Sequence, residues 1–197
     1  MVMSPFPLDY SSYPGIRAKC ISGKNIELRE VEVEDAEFII SLRTDTNLNR
    51  YLSPVLPDVQ LQRNWILDCK SKFDQAYFIV QTKKEEPQPI GTVRLYDPTG
   101  KGFTWGSWIL SNEAPTFAAI ESALIVYDYG FNVLGFDTAH FEVLQGNPSI
   151  TFHPRLGARV ISEDERAKYF SLAKEDYLRA KPRYAKYALE RIIVIRA

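Results

Sequence analysis

The sequence predicts an α/β fold: a mixed, mostly antiparallel sheet with one parallel strand pair and helices on both faces. Three observations predict it. First, the stretch from Thr104 to Arg159 reads as strand, tight turn, long amphipathic helix, strand and short capped helix. Second, the 27 residues from Ser111 to Asp137 that join its two strands are far too many for a hairpin, so these strands run parallel through a right-handed helical crossover. Third, the strands Tyr77 to Thr82 and Ile90 to Tyr96 are separated only by the charged turn KKEEPQP, which makes an antiparallel hairpin.

Taken in order, residues 1 to 24 hold Pro5, Pro7 and Pro14 with Tyr10 and Tyr13 and show no periodicity. They are expected to be an extended arm packed on the body or on a second subunit, leaving residues 25 to 197 as a single domain. Ile26 to Val31 is a strand, and Glu34 to Thr44 is a helix with Ala36, Phe38, Ile39 and Leu42 facing inward. Asn47 to Pro57 is turn-rich. Asp58 caps a second helix that runs to about Phe73, with Trp65, Ile66, Cys69 and Phe73 on one stripe. Asp97 to Gly102 is a turn into the strand Thr104 to Leu110. Ala118 to Leu134 carries Ile120, Leu124, Tyr127, Phe131 and Leu134 at helical spacing, and Gly135 ends that helix. Thr138 to Leu144 alternates Ala139, Phe141 and Val143 against Thr138, His140 and Glu142, as a strand does. Arg159 to Asp164 and Tyr169 to Leu172 form a closing strand pair. Lys174 to Tyr187 is a helix interrupted at Pro182, and the final IIVIRA is a docked tail or a subunit contact, so a homodimer is possible.

Composition narrows the function. With 45% hydrophobic and 25% charged residues over 197 positions, the chain has the content of one globular domain with a real core. A net charge of -1 gives no electrostatic reason to expect nucleic acid, which would favour a basic face, although it leaves room for local basic patches. No apolar run nears the roughly 20 residues that span a bilayer, and the N-terminus lacks the basic and apolar regions of a signal peptide. The expected setting is cytoplasmic, without membrane or nucleic-acid partners. Cys20 and Cys69 are expected to be structural, and with only His140 and His153 in the chain no metal site is expected.

The central stretch resembles the GNAT superfamily of N-acetyltransferases that use acyl-CoA, in the branch containing ribosomal-protein N-terminal acetyltransferases and small-molecule acetyltransferases. The residues that carry the resemblance are Gly106 and Trp108 in the first strand, Glu121 and Phe131 in the helix, Leu134-Gly135 after it, Asn147 after the second strand, and Leu156-Gly157-Ala158. From Gly106 to Asn147 they fall at the family spacing without a gap. The family's pyrophosphate loop, Gln/Arg-x-x-Gly-x-Gly/Ala, falls on Ala114 to Ala119 (APTFAA), where Phe117 replaces the central glycine.

The resemblance implies acetyl-CoA as cosubstrate and a splayed pair of parallel strands. Backbone groups of Trp108, Ile109 and Leu110 would then bond pantetheine, and the turn with Ala114, Thr116, Phe117, Ala118 and Ala119 would meet the pyrophosphate at a helix N-terminus. Read without the resemblance, APTFAA is a proline-led helix start. Asn147 is both the family's cofactor-bonding Asn and an ordinary N-cap before Pro148. The interval from Asn147 to Gly157 is one residue short of the usual. His153 stands four residues before Gly157, where many members carry a Tyr that protonates the CoA thiolate; it is either that donor or a packed helix histidine. His140 and Glu142 could receive the amine proton, Arg50, Tyr51 and Arg63 could border the acceptor, and Glu121 is expected to be structural. Two acceptors compete: a small amine such as a nucleotide-linked amino sugar, favoured by the aromatic segments, and a protein N-terminus. A non-catalytic CoA-binding module is a third reading.

Overall fold

A computed structural model of the chain describes residues 15–196. The expected arm residues Pro5, Pro7, Tyr10, Tyr13 and Pro14 lie outside the described residues. Among the described residues nine strands form one sheet: β1 (Ala18–Ser22), β2 (Ile26–Glu30), β3 (Ala76–Thr82), β4 (Pro89–Thr99), β5 (Gly102–Leu110), β6 (Thr138–Leu144), β7 (Arg159–Glu163), β8 (Ala167–Ala173) and β9 (Ile193–Arg196). The helices are α1 (Ala36–Thr44), α2 (Val59–Ser71), α3 (Ala118–Asp128) and α4 (Lys174–Ala180). The spatial order is β7-β8-β6-β5-β4-β3-β2-β1-β9, and β5 with β6 is the parallel pair.

At β3 both faces of the sheet are covered, residue by residue. All seven of its residues are buried, because Phe78 and Val80 join the α3-side core while Tyr77 and Ile79 join a second core with Ile39, Ile66 and Cys69 of α1 and α2. The α3 side is the larger. There the helix is apolar nearly all round, and every residue from Glu121 to Asp128 is buried, as expected for a helix enclosed on all sides. The buried carboxylate of Glu121 is satisfied: Oε1 accepts from the amides of Asn25 (2.6 Å) and Ile26 (3.1 Å), and Oε2 from the Asn25 side chain (2.8 Å). Glu121 thus clamps the β1–β2 turn to α3.

Several expectations are corrected. The predicted helix to Leu134 is α-helical only to Asp128 and continues as a π-turn, Tyr129–Val133, before Gly135 (φ +81°) stops it. Within that turn Gly130 lies so close to Phe103 that a Cβ would sit 2.3 Å from its ring. The arm assigned to residues 1 to 24 contains β1, whose apolar alternation is broken by a register shift between Ala18 and Cys20. The C-terminal tail is the edge strand β9 on β1, so the tail pairs within its own chain. The turn Asp97 to Gly102 is largely strand, with only Gly100 and Lys101 turning. On α2, Ile66 and Cys69 are buried but Trp65 is 38% exposed, and Phe73, beyond the end of the helix, is 53% exposed; the stripe is narrower than read, and Trp65 instead lies edge-on to Tyr77 at its margin. The helix after Asn147 is two 3-10 turns, Pro148–Thr151 and His153–Leu156. Lys174 to Tyr187 is α4 followed by a 3-10 stretch with a non-helical Tyr184.

Candidate active site

The two parallel strands pair only at Gly102, Phe103 and Thr104 against Thr138, Ala139 and His140. Beyond that they part. The opening device is a bulge on β5: its partners on β4 run Arg94 with Gly106 and then Thr92 with Ile109, and Ser107 takes φ +48°. Thr92 Oγ1 holds the bulge by donating to the Ser107 carbonyl at 2.8 Å. The added residue bends the strand away from its neighbour and brings the rings of Trp105 and Trp108 to 5.5 Å on one face.

The result is a cleft of about 270 Å³ that crosses the sheet. One wall is β5 from Trp105 to Leu110, and the other is β6 from Phe141 to Leu144. Ala119, Asn147 and His153 close it on the α3 side, while Leu48, Tyr51 and Leu52 border it from the loop between α1 and α2. Ser111 N–H donates to Ile90 O at 2.8 Å, toward β4. Strand alternation therefore turns the backbone of Ile109 toward β4 also, and that of Trp108 and Leu110 toward the cleft. Of the three residues expected to offer backbone groups, Trp108 and Leu110 direct theirs toward the cleft, while Ile109 is turned to β4 and its side chain is 6% exposed.

At the end of β5 the chain enters α3 through Ser111 to Phe117. Ala114 N–H bonds Ser111 O (3.1 Å), Ala118 N–H bonds Pro115 O (2.8 Å) and Glu121 N–H bonds Phe117 O (2.9 Å). The amides of Thr116, Phe117, Ala119 and Ile120 have no acceptor among the described residues, as the first turn of a helix requires. Phe117, the departure from the glycine pattern, packs its ring on the α3-side core and leaves its amide free. Thr116 is exposed and Ala119 half-buried, but Ala118 is fully buried, so its side chain is part of the core.

Asn147 caps the following 3-10 turn, its Oδ1 accepting from Ser149 N–H at 2.9 Å; its amide nitrogen has no partner among the described residues. His153 lines the cleft yet is 2% exposed. Five aromatic rings, those of Trp105, Trp108, Phe141, Phe152 and Phe170, have centroids 4.3 to 6.2 Å from its own, and its Nδ1 is 3.4 Å from the Tyr127 hydroxyl. Burial pushes its pKa down to about 3, because no carboxylate offsets the cost of charging the ring. Of the two roles expected for His153, burial among these rings favours the packed, neutral histidine over a charged donor near neutral pH.

Glu142 is brought to the cleft. Its carboxylate is 41% exposed and takes Arg166 Nη2 at 2.7 Å. His140, two residues earlier, is not among the cleft residues: it faces Gly102 where the strands still pair, and burial lowers its pKa. Tyr51 reaches the cleft, but Arg50 does not, and Arg63 instead pairs with Glu37 at 3.6 Å. The sequence reading missed Leu48, Leu52 and Ser149; the turn-rich stretch from Asn47 to Pro57 was the signal for the first two. Among the described residues no His, Cys, Asp or Glu group gathers to hold a metal, and no helix is long and apolar enough to cross a membrane.

The profile of the acetyltransferase (GNAT) domain matches residues 25–159. Among solved structures, the chain is similar to apo FdhC, described as a nucleotide-linked sugar GNAT, at 42% identity and a TM-score of 0.77 over 85% of this chain and 97% of that one. It shares its fold with a GCN5-related N-acetyltransferase from Brucella melitensis (19% identity, TM-score 0.73, 90% and 89% covered). It shares it also with the spermidine/spermine N-acetyltransferase SpeG from Vibrio cholerae (16%, 0.64, 78% and 96%). No curated protein sequence matches the chain.

Proposed function

This chain belongs to the GNAT acetyltransferases, and from that premise we propose that it transfers an acetyl group from acetyl-CoA to the primary amine of a nucleotide-linked amino sugar. The observation that carries the cofactor half is the continuity of open backbone groups: the cleft-facing edge of β5 at Trp108 and Leu110 leads directly to the unpartnered amides of Thr116, Phe117, Ala119 and Ile120. The first is suited to the amides of pantetheine, as in strand addition. The second suits a pyrophosphate, since free N–H groups and the helix dipole both favour an anion there. The acceptor half is supported by the 42% identity to a nucleotide-linked sugar GNAT.

Bound acetyl-CoA supplies an activated acetyl thioester. The chain holds it through those backbone groups and through the free amide nitrogen of Asn147, and the rings of Trp105, Trp108 and Phe141 keep water from the walls. A primary amine must arrive neutral, or shed its proton, before its lone pair can attack. Glu142, on the opposite wall and partly exposed, receives that proton, directly or through one water, while Arg166 fixes its carboxylate. The leaving thiolate departs with the C–S electron pair and takes its proton from water or from Tyr51, not from His153. His153 acts as a neutral part of the aromatic wall.

We place the reaction in the cytoplasm, in keeping with the free thiols Cys20 and Cys69. The test is a panel of amines scored for CoA release in the presence of acetyl-CoA: nucleotide-linked amino sugars, free amino sugars and short peptides. Turnover on nucleotide-linked amino sugars is expected; turnover on peptides alone would replace the acceptor, and release with no amine in the panel would point to a binding module.

A further inference from the structure

On the face of the sheet away from α3, the helices α1 and α2 pack over β3, while Arg94, Tyr96, Thr104, His140 and Glu142 remain partly or fully exposed. This open strip adjoins the cleft mouth, because Arg94 pairs in register with Gly106 and Gly106 lines the cleft. The Tyr96 hydroxyl sits 3.2 Å from where a Cβ on residue 106 would be. The Arg94 guanidinium carbon lies 4.5 Å from the Tyr96 ring centroid and 5.2 Å from that of Trp65. Its Nε donates to Gln75 Oε1 at 3.0 Å, and Nη2 donates to the same oxygen.

No carboxylate among the described residues forms an ion pair with Arg94, and its Nη1 has no hydrogen-bond partner among them. Nearby acids do not fill that role: Glu142 is engaged with Arg166, and Asp97 is exposed at the strand end. Arg43 is in the same condition. It makes no ion pair among the described residues, its Nη2 donates to Ser53 O at 2.7 Å, and its buried Nε has no partner. Both arginines lower the pKa of Tyr77 between them, against the larger effect of burial, so their positive fields overlap on this side of the sheet. A guanidinium supported on aromatic rings, rather than neutralised by a carboxylate, keeps its charge, and with Nε and one N–H of Nη2 given to Gln75 the edge formed by Nη1 and the other N–H of Nη2 is left for the paired oxygens of a phosphate.

We propose that Arg94, carried on the rings of Tyr96 and Trp65 beside the cleft mouth, binds the diphosphate of the nucleotide-linked acceptor. The proposal rests on the acceptor reading above and names the residue that would distinguish a nucleotide-linked amine from a free one. The phosphates of CoA share this chemistry, and the experiment separates the two sources.

The test uses the full chain saturated with CoA, titrated calorimetrically with UDP, dTDP and the corresponding nucleosides. One of the two nucleoside diphosphates is expected to bind, at least about 10-fold more tightly than its nucleoside, the scale of a charge-assisted contact. Arg94→Gln should weaken it by about 10-fold or more while CoA affinity and thermal midpoint stay within error, and Arg94→Lys should recover part of the loss. Raising salt should weaken binding to the parent. The proposal is overturned if neither diphosphate binds the parent, if nucleoside and diphosphate bind equally, or if Arg94→Gln costs CoA affinity in the same proportion. Should that variant fail to fold, the nucleoside comparison on the parent and the Lys variant decide. None of these readouts is turnover, so a protein that binds the diphosphate through Arg94 but acetylates no amino sugar sinks the acceptor reading alone.

Discussion

A carboxylate at position 119 should strengthen the fold and weaken cofactor binding at once. Ala119 is the second residue of α3, half-buried and at the cleft wall, among amides that have no protein acceptor. Asp there complements the helix dipole, worth about 0.3 to 1 kcal/mol. Toward a pyrophosphate held by the same amides it is a like charge. At a separation of about 6 Å and an effective dielectric of about 20 the repulsion is about 3 kcal/mol, reduced by salt to about 1 to 2 kcal/mol, or about 5- to 30-fold in Kd. Ala119→Asn carries the same volume without charge, so the difference between the two variants isolates electrostatics. Calorimetric titration with acetyl-CoA and a thermal scan read the two effects. If Ala119→Asp binds acetyl-CoA as tightly as Ala119→Asn while its midpoint rises, the pyrophosphate does not lie at this helix start. Ala118→Asp would be uninformative, since Ala118 is fully buried and an uncompensated charge there would oppose folding itself.

Further outcomes follow from the same geometry. Glu142→Gln should lower kcat/KM by about 10²-fold or more, the size of a proton-transfer contribution, with acetyl-CoA affinity unchanged by titration. His153→Phe should keep turnover within about threefold of the parent, and the kcat profile of the parent should show no limb that disappears with this variant near pH 6.5. That histidine is held at about 3 when folded against about 6.5 unfolded, so the unfolded chain binds the extra proton. Its contribution to stability is full above about pH 6.5 and is lost as pH falls toward 3. Between pH 7 and pH 5 the loss is about 2 kcal/mol, and urea melts of the Phe variant should lack it. Gly130→Ala should cost about 3 kcal/mol or more in the same melts, because the new methyl would enter the Phe103 ring space.

What could be read from the sequence was whatever local pattern alone determines. The crossover from β5 to β6 showed as strand, helix and strand periodicity, and its landmark residues at family spacing located the cleft walls and the α3 start. Asn147 was legible in both its roles' prerequisites, and its cap to Ser149 is present. What escaped depended on partners distant in the chain. β1 was hidden because the shift between Ala18 and Cys20 breaks its alternation, and β9 because an edge strand with Ile193 62% exposed needs β1 beside it to be defined. The bulge that opens the cleft turns on φ at Ser107, a residue with no sequence marker for it. Spacing left His153 open between a proton donor and a packed histidine, because its burial depends on Phe141 and Phe170 on the sheet and on Trp105 and Trp108 on β5, all distant in the chain. Arg94 carries no local marker within the strand Ile90 to Tyr96, because its support comes from Trp65 of α2, distant in the chain.

The most direct test of the account is a crystal structure of the protein with CoA and a nucleoside diphosphate. The account predicts pantetheine along the cleft-facing edge of β5 at Trp108 and Leu110, pyrophosphate within hydrogen-bond distance of the amides of Thr116 to Ile120, and the thiol between that edge and Glu142. CoA bound outside the β5–β6 cleft, or in it with its pyrophosphate away from the start of α3, would contradict the assignment of this cleft as the place where acetyl transfer occurs.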